Sequence, residues 1–142
     1  MILISACLLG VPCRYDGTVL PPLELPDEIR GQALLPVCPE ELGGLPTPRP
    51  PAELAGGDGR AALAGSARVL RADGTDVTAE FLRGAEAAAE LARRHGACAA
   101  CLKARSPSCG VKSTHIGGKV APGMGVAAAA LERAGVRLIE AG

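Results

Sequence analysis

Met1-Ile2-Leu3-Ile4-Ser5-Ala6-Cys7-Leu8-Leu9-Gly10 opens the chain as an apolar run broken only by small residues. Such a run suits a strand buried on both faces, as in a parallel sheet. It leads into Gly10-Val11-Pro12-Cys13-Arg14-Tyr15-Asp16-Gly17, a loop closed by an Asp-Gly turn. Two later stretches repeat the arrangement. Ala33 to Val37 reads as a second buried strand and runs into Cys38-Pro39-Glu40, where the proline ends ladder pairing. Ala97 to Leu102 reads as a third and is followed, after a short polar link, by Ser106-Pro107-Ser108-Cys109-Gly110. Three strands thus each run into a loop that carries a cysteine.

Between these strands the pattern is helical or irregular. Pro26-Asp27-Glu28 puts proline and acids in a first turn, so a short helix is expected within Pro21 to Gly31. Thr78 is placed to cap a helix reaching about His95, with Phe81, Leu82, Ala85, Ala88, Ala89 and Leu91 as its apolar stripe. His95 then sits at the negative end of the helix dipole. Ala67 to Leu70 suggests an edge strand before a turn at Asp73-Gly74. A last helix is expected from Pro122 or Gly123 to Ala134, and a last strand from Val136 to Ile139. The Pro- and Gly-rich stretch from 43 to 59 reads as an ordered functional loop able to close over a site, because the flanking segments are too short to be domains. Ala104 to Pro122 reads as a second long loop.

Strands alternating with helices predict a single α/β domain over residues 1–142: a mostly parallel sheet flanked by helices, Rossmann-like and three-layered. In such sheets ligands bind beyond the carboxyl ends of the strands, where the strand order switches. Cys7, Cys38 and Cys109 all lie at or beyond such ends.

Composition narrows the function. Lys+Arg and Asp+Glu are 15 each, so the formal net charge is zero, and only 1% of residues are aromatic, Tyr15 and Phe81. Neither a phosphate backbone nor an anionic membrane finds an obvious counterpart, and base stacking along a single strand would need more rings. Nucleic acid is therefore not an expected partner, and a small molecule is. No signal peptide or membrane-length apolar run is evident, so a cytoplasmic protein with reduced thiols is expected. Nothing in the sequence sets an oligomeric state.

Six cysteines in that setting point to metal binding or catalysis. Cys98 and Cys101 form a C-x-x-C inside a strand-like run. Residues three apart on a strand face opposite ways, so these read as two packed small residues. If the segment were a loop, Cys98, Cys101 and Cys109 with His115 or Cys13 would make a structural zinc knuckle. Cys13 lies six residues past Cys7 and is within reach of a shared site.

The same residues carry a family resemblance. Ser5 to Gly10 with Arg14-Tyr15-Asp16-Gly17, the run from Pro36 to Pro51, Gly56-Gly57-Asp58-Gly59, Asp76-Val77-Thr78 and Arg105 to Gly110 resemble, in order, the family called domain of unknown function 523. Its characterised members are thiouracil desulfidases. The resemblance implies a [4Fe–4S] cluster held by three cysteines, here Cys7, Cys38 and Cys109. One iron is then left without a protein ligand, and sulfur is removed from thiouracil as sulfide without net redox change. It covers the whole chain, while Cys98 and Cys101 match none of its motifs.

That chemistry asks for an acid/base group. Glu40 and Glu41 follow Cys38 by two and three residues and are the candidate catalytic carboxylates, with Glu40 preferred. Ser106 and Ser108 flank Pro107 before Cys109 and are candidate catalytic hydroxyls, able to bond substrate or cluster sulfur. Arg14, Tyr15 and Asp16 in the first cysteine loop are candidate substrate contacts, with Tyr15 able to stack on a pyrimidine. Lys103 is a fourth, and Arg105 joins it in balancing the cluster's charge. His115 is a candidate proton shuttle. A non-enzymatic redox sensor built on the same cluster is the alternative to a desulfidase, beside the zinc protein. Gly56-Gly57-Asp58-Gly59 lacks the Lys and Ser/Thr of a P-loop.

Overall fold

A computed structural model describes residues 1–142. Its elements in order are β1 (Ile2–Ser5), β2 (Leu34–Val37), α1 (Pro39–Leu42), β3 (Ala52–Ala55), α2 (Gly59–Leu63), β4 (Arg68–Arg71), α3 (Thr78–Arg94), β5 (Ala99–Lys103), β6 (Ser113–Ile116), β7 (Lys119–Pro122), α4 (Val126–Arg133) and β8 (Arg137–Ala141). The opening run is β1, and all four of its residues are buried. It pairs in parallel with β2 on one side and β5 on the other, so that Ile4 lies between Pro36 and Cys101. β8 adds in parallel to β5, giving the order β2-β1-β5-β8. The mostly parallel sheet with helices against it is the fold class that the sequence predicts.

The two faces of this sheet are covered differently. Leu3, Ala100 and Leu102 face a core shared with Ala92 of α3 and with Ala128, Ala129 and Leu131 of α4. Ile2, Ile4, Ala99, Cys101 and Ile139 face a second core closed by Ile29 and flanked by Leu20 and Leu25. From the chain between 10 and 33, an irregular segment of turns, Leu20, Leu25 and Ile29 pack on that face. The helix expected there shrinks to a 3-10 turn at Asp27–Ile29, because Pro21, Pro22 and Pro26 remove donors and fix φ.

A second sheet, ordered β4-β3-β6-β7, lies on the far side of the helices. Leu54 and Val69 from it pack on Phe81, Ala85 and Ala89 of α3 and on Val126, Ala127 and Ala130 of α4. Opposite sides of α4 therefore serve two sheets, and Val126 to Leu131 are buried all round. Alanines make this possible, since two sheets can approach one helix only if its side chains are short.

This second sheet corrects the reading of both long loops. The stretch 43–59 contains β3, and 104–122 contains the antiparallel pair β6 and β7. Gly117 and Gly118, with φ of 60° and 88°, form the two-residue turn between them. Each strand is only four residues long, too short for alternation to stand out. Two helix starts also differ. α4 begins at Val126, because Pro122 ends β7. The first amide of α3, that of Thr78, donates to Asp76 Oδ1 at 2.9 Å, while the buried Thr78 hydroxyl accepts from Val69 N at 2.8 Å and fastens α3 to β4.

The second cysteine loop is set by a backbone contact. α1 lies on α3 through Gly43 and Gly84. A Cβ on Gly84 would sit 1.8 Å from the Pro39 carbonyl oxygen, and one on Gly43 would sit 2.0 Å from that of Glu80. In an open helix Gly→Ala gains about 1 kcal/mol. At Gly84 the overlap is with backbone, which does not give way. Gly84→Ala is therefore expected to lower stability by roughly 1–3 kcal/mol, the range for overpacking, as measured by urea denaturation of the metal-free protein.

Candidate active site

The chain leaves β1 for β2 on one side and returns to β5 on the other, so the strand order switches at β1. Carboxyl-end loops part at such a point. A cavity of about 370 Å³ opens there, within the range of about 300–1,000 Å³ usual for small-molecule sites. Cys7, Cys38 and Cys109 all line it, and so does Cys13.

Each cysteine is held by local backbone chemistry. Cys7 sits in a 3-10 turn, Ala6–Leu9, closed by Gly10 at φ 84°. Cys38 is the residue that starts α1, with Pro39 in the first helical position, and its Sγ donates to the Cys13 carbonyl at 3.6 Å. Cys109 lies in a turn whose amides at Ser108 and Cys109 both donate to Ser106 Oγ at 3.1 Å. That turn is seated on the first turn of α4, where Val126 N donates to the Pro107 carbonyl and Ala128 N to that of Ser108. Free helix amides and loop carbonyls satisfy one another there.

The thiols titrate differently in the metal-free protein. A hydrogen bond from Cys13, aided by the Lys103 ammonium, holds Cys7 below the usual thiol value. For Cys13, the bond from Cys38 works downward, but its bond to Cys7 and burial push it up to about 11. Cys38 is raised by its contact with Cys13 and by burial. Burial pushes Cys109 up to about 12. Lys103 is lowered by burial and by the neighbouring Arg105.

Glu40 lines the cavity with both carboxylate oxygens engaged. Arg49 Nε donates to Oε1 at 2.9 Å, and Ser108 Oγ donates to Oε2 at 3.1 Å. Ser108 itself is buried behind Glu40 and does not line the cavity, whereas Ser106 does. Glu41 points away, accepting from Thr47 Oγ1. Arg14, Tyr15, Lys103, Arg105 and His115 all reach the cavity wall. Asp16 does not. Its Oδ1 accepts from the amide and hydroxyl of Thr18, which keeps its carboxyl below the usual range. The stretch 43–59 supplies wall through Arg49, Pro51 and Glu53. Arg49 was not anticipated, although a lone arginine amid Pro46, Pro48, Pro50 and Pro51 is a visible oddity.

The zinc-knuckle set is not assembled. Cys101 is fully buried in the core with Ile2 and Ile139, Cys109 belongs to the other core, and Cys98 is exposed rather than packed. No group of three or more His, Cys, Asp and Glu side chains closes tightly enough to hold a single metal ion. Cys7, Cys13, Cys38 and Cys109 instead face one cavity, with Cys13 in side-chain contact with both Cys7 and Cys38.

Fold and cavity together define an α/β domain with a thiol-lined cavity at the carboxyl edge of a parallel sheet. The sequence model of the 2-thiouracil desulfurase family matches residues 2–141, and the chain belongs to that family. It is 42% identical over 142 residues to the uncharacterized protein YbbK of Bacillus subtilis (strain 168), covering 98% of this chain and 94% of that one. A solved structure of the [4Fe-4S]-dependent thiouracil desulfidase TudS superposes with a TM-score of 0.80 at 40% identity, covering 98% of this chain and 89% of the other. These similarities bear out the family resemblance read from the sequence motifs.

In metal-free protein at pH 8, the lowered Cys7 holds a larger thiolate fraction than Cys13, Cys38 or Cys109. Iodoacetamide attacks thiolate. Peptide mass spectrometry is therefore expected to find Cys7 alkylated before the other three, with exposed Cys98 as the internal reference. Raising the pH toward 11 should bring in Cys13.

Proposed function

We propose that this chain is a [4Fe–4S]-dependent desulfidase acting on a thiolated pyrimidine such as 2-thiouracil, with water as co-substrate and uracil and sulfide as products. The convergence of Cys7, Cys38 and Cys109 with Glu40 on one cavity is the observation that carries this reading. The donor set fits a cluster: three soft thiols from separate loops, with Lys103 and Arg105 beside them to offset negative charge. Held by three thiolates, a cluster supplies one open iron, a soft Lewis acid for a thiocarbonyl sulfur.

The chain's own residues do the rest. Glu40 takes a proton from the attacking water on a carboxylate oxygen and returns one to the departing sulfide. Arg49 and Ser108 hold that carboxylate toward the cavity. Ser106 orders the Cys109 turn through its hydroxyl. Tyr15 offers a ring face to the pyrimidine, and Arg14 and Lys103 bond its polar edge. Carbon–sulfur and oxygen–hydrogen bonds break while carbon–oxygen and sulfur–hydrogen bonds form, so no electron donor is needed.

Anaerobically reconstituted protein is expected to hold about four irons per chain and to convert 2-thiouracil to uracil with equimolar sulfide. Cys7→Ala, Cys38→Ala and Cys109→Ala should each lose the iron, whereas Cys101→Ala should keep it. Glu40→Gln should keep the cluster and lose roughly 10²–10⁴-fold in turnover, the usual weight of acid/base catalysis. A fully loaded protein that releases sulfide from no thiolated base would refute the desulfidase reading.

A further inference from the structure

Arg49 is an arginine almost wholly removed from water, its side chain 3% exposed beside a Glu40 side chain that is 16% exposed. Four of its five guanidinium N–H groups have protein acceptors. Nε donates to Glu40 Oε1 at 2.9 Å, Nη1 to the Pro46 carbonyl at 3.2 Å and to Thr47 Oγ1 at 2.8 Å, and Nη2 to the Cys13 carbonyl at 2.9 Å. Its own amide donates to the Tyr15 carbonyl at 2.6 Å. Thr47 Oγ1 in turn donates to Glu41. The group is thus largely committed to protein acceptors, which leaves it little to offer a substrate.

We propose that Arg49 is a positioning residue for catalysis: it fixes the Glu40 carboxylate against the cavity and locks it in register with the Cys7–Cys13 loop. The proposal rests on the desulfidase reading for its kinetic consequence. A glutamate in the first turn of a four-residue helix has three side-chain torsions to be fixed. Arg49 and Ser108 take one oxygen each and leave a single placement. Through Nη2 the same guanidinium also ties the second cysteine loop to the first. Glu41, which the sequence offered as an alternative base, stands at the outer end of the chain Glu41–Thr47–Arg49–Glu40. Lysine is not equivalent here, because its three donors radiate from one atom and do not span acceptors on different loops.

The test uses cluster-reconstituted wild type, Arg49→Lys, Arg49→Gln, Glu40→Gln and the double variant Arg49→Gln/Glu40→Gln. Arg49→Gln is expected to keep the iron content and KM for 2-thiouracil while kcat falls roughly 30–100-fold, as a misplaced catalytic group would give. Arg49→Lys should recover only part of that loss. Because Arg49 acts through Glu40, the double variant should be no slower than Glu40→Gln alone. Losses that multiply in the double variant, or a raised KM at unchanged kcat, overturn the proposal. A second measurement stands apart from turnover. In cluster-free protein, carbodiimide coupling of glycine ethyl ester to Glu40, read by peptide mass spectrometry against exposed Glu24, should be faster in Arg49→Gln than in wild type. Unchanged labelling of Glu40 also overturns the proposal. If wild type itself releases no sulfide, the desulfidase reading fails, and the labelling alone decides whether Arg49 places the carboxylate. Should both Arg49 variants fail to fold, Thr47→Val removes one acceptor and should speed Glu40 labelling in the same direction, with no change counting against the proposal.

Discussion

A charge taken out of water must be matched by fixed partners, and the burial of Arg49 imposes that requirement on three loops at once. Removing one partner of a buried ion pair costs about 3–5 kcal/mol, because the other charge is left stranded. The Cys7–Cys13 loop contributes a carbonyl, the Cys38 loop contributes Glu40, and the proline-rich stretch contributes Pro46, Thr47 and the arginine itself. The Cys7 turn and α1 are held by their own backbone contacts, and the guanidinium adds the ties between the segments. Through its four side-chain hydrogen bonds the guanidinium joins them along one side of the cavity. The prolines matter for the same reason, since they narrow the backbone freedom that must be lost when the stretch is ordered.

The Cys109 loop is fixed by different means. Its carbonyls accept from the first turn of α4, and α4 is gripped between two sheets. The Cys38 loop is pressed on α3 through glycines that bring backbone against backbone. Every cysteine facing the cavity is therefore referred to the helix layer or to the sheet edge. Cluster ligation and acid/base chemistry both depend on such fixed separations, so the core packing and the site chemistry share one framework.

Much of this was legible in the residues. The apolar runs at Met1, Ala33 and Ala97 marked parallel strands, and the cysteines beyond them marked the carboxyl edge, but only the first and third are buried: β2 is the edge strand, with Leu34 and Leu35 half-buried and Pro36 exposed. Strand parity separated Cys98 from Cys101, although only Cys101 proved to be packed. The second sheet was not legible, because β3, β6 and β7 are four residues each and sit among turn formers. Whether a particular side chain faces the cavity was not legible either. Glu40 and Glu41 are adjacent in α1, and a helix turns about 100° per residue, so one faces Ser108 and the other faces outward to Thr47. Ser106 and Ser108 divide in the same way within one turn.

Hydrophobic period and punctuation by Gly and Pro act locally, so the α/β class, the strand ends and the place of Cys7, Cys38 and Cys109 beyond them could be read from the residues alone. The long, ordered motifs also determined the family. That Cys13 lies with the other three thiols, that Asp16 serves its own loop and that Arg49 is the partner of Glu40 follows from the folded arrangement. These are contacts between segments remote in the chain, set by which loops a twisted parallel sheet brings to one edge, and no local signal encodes them.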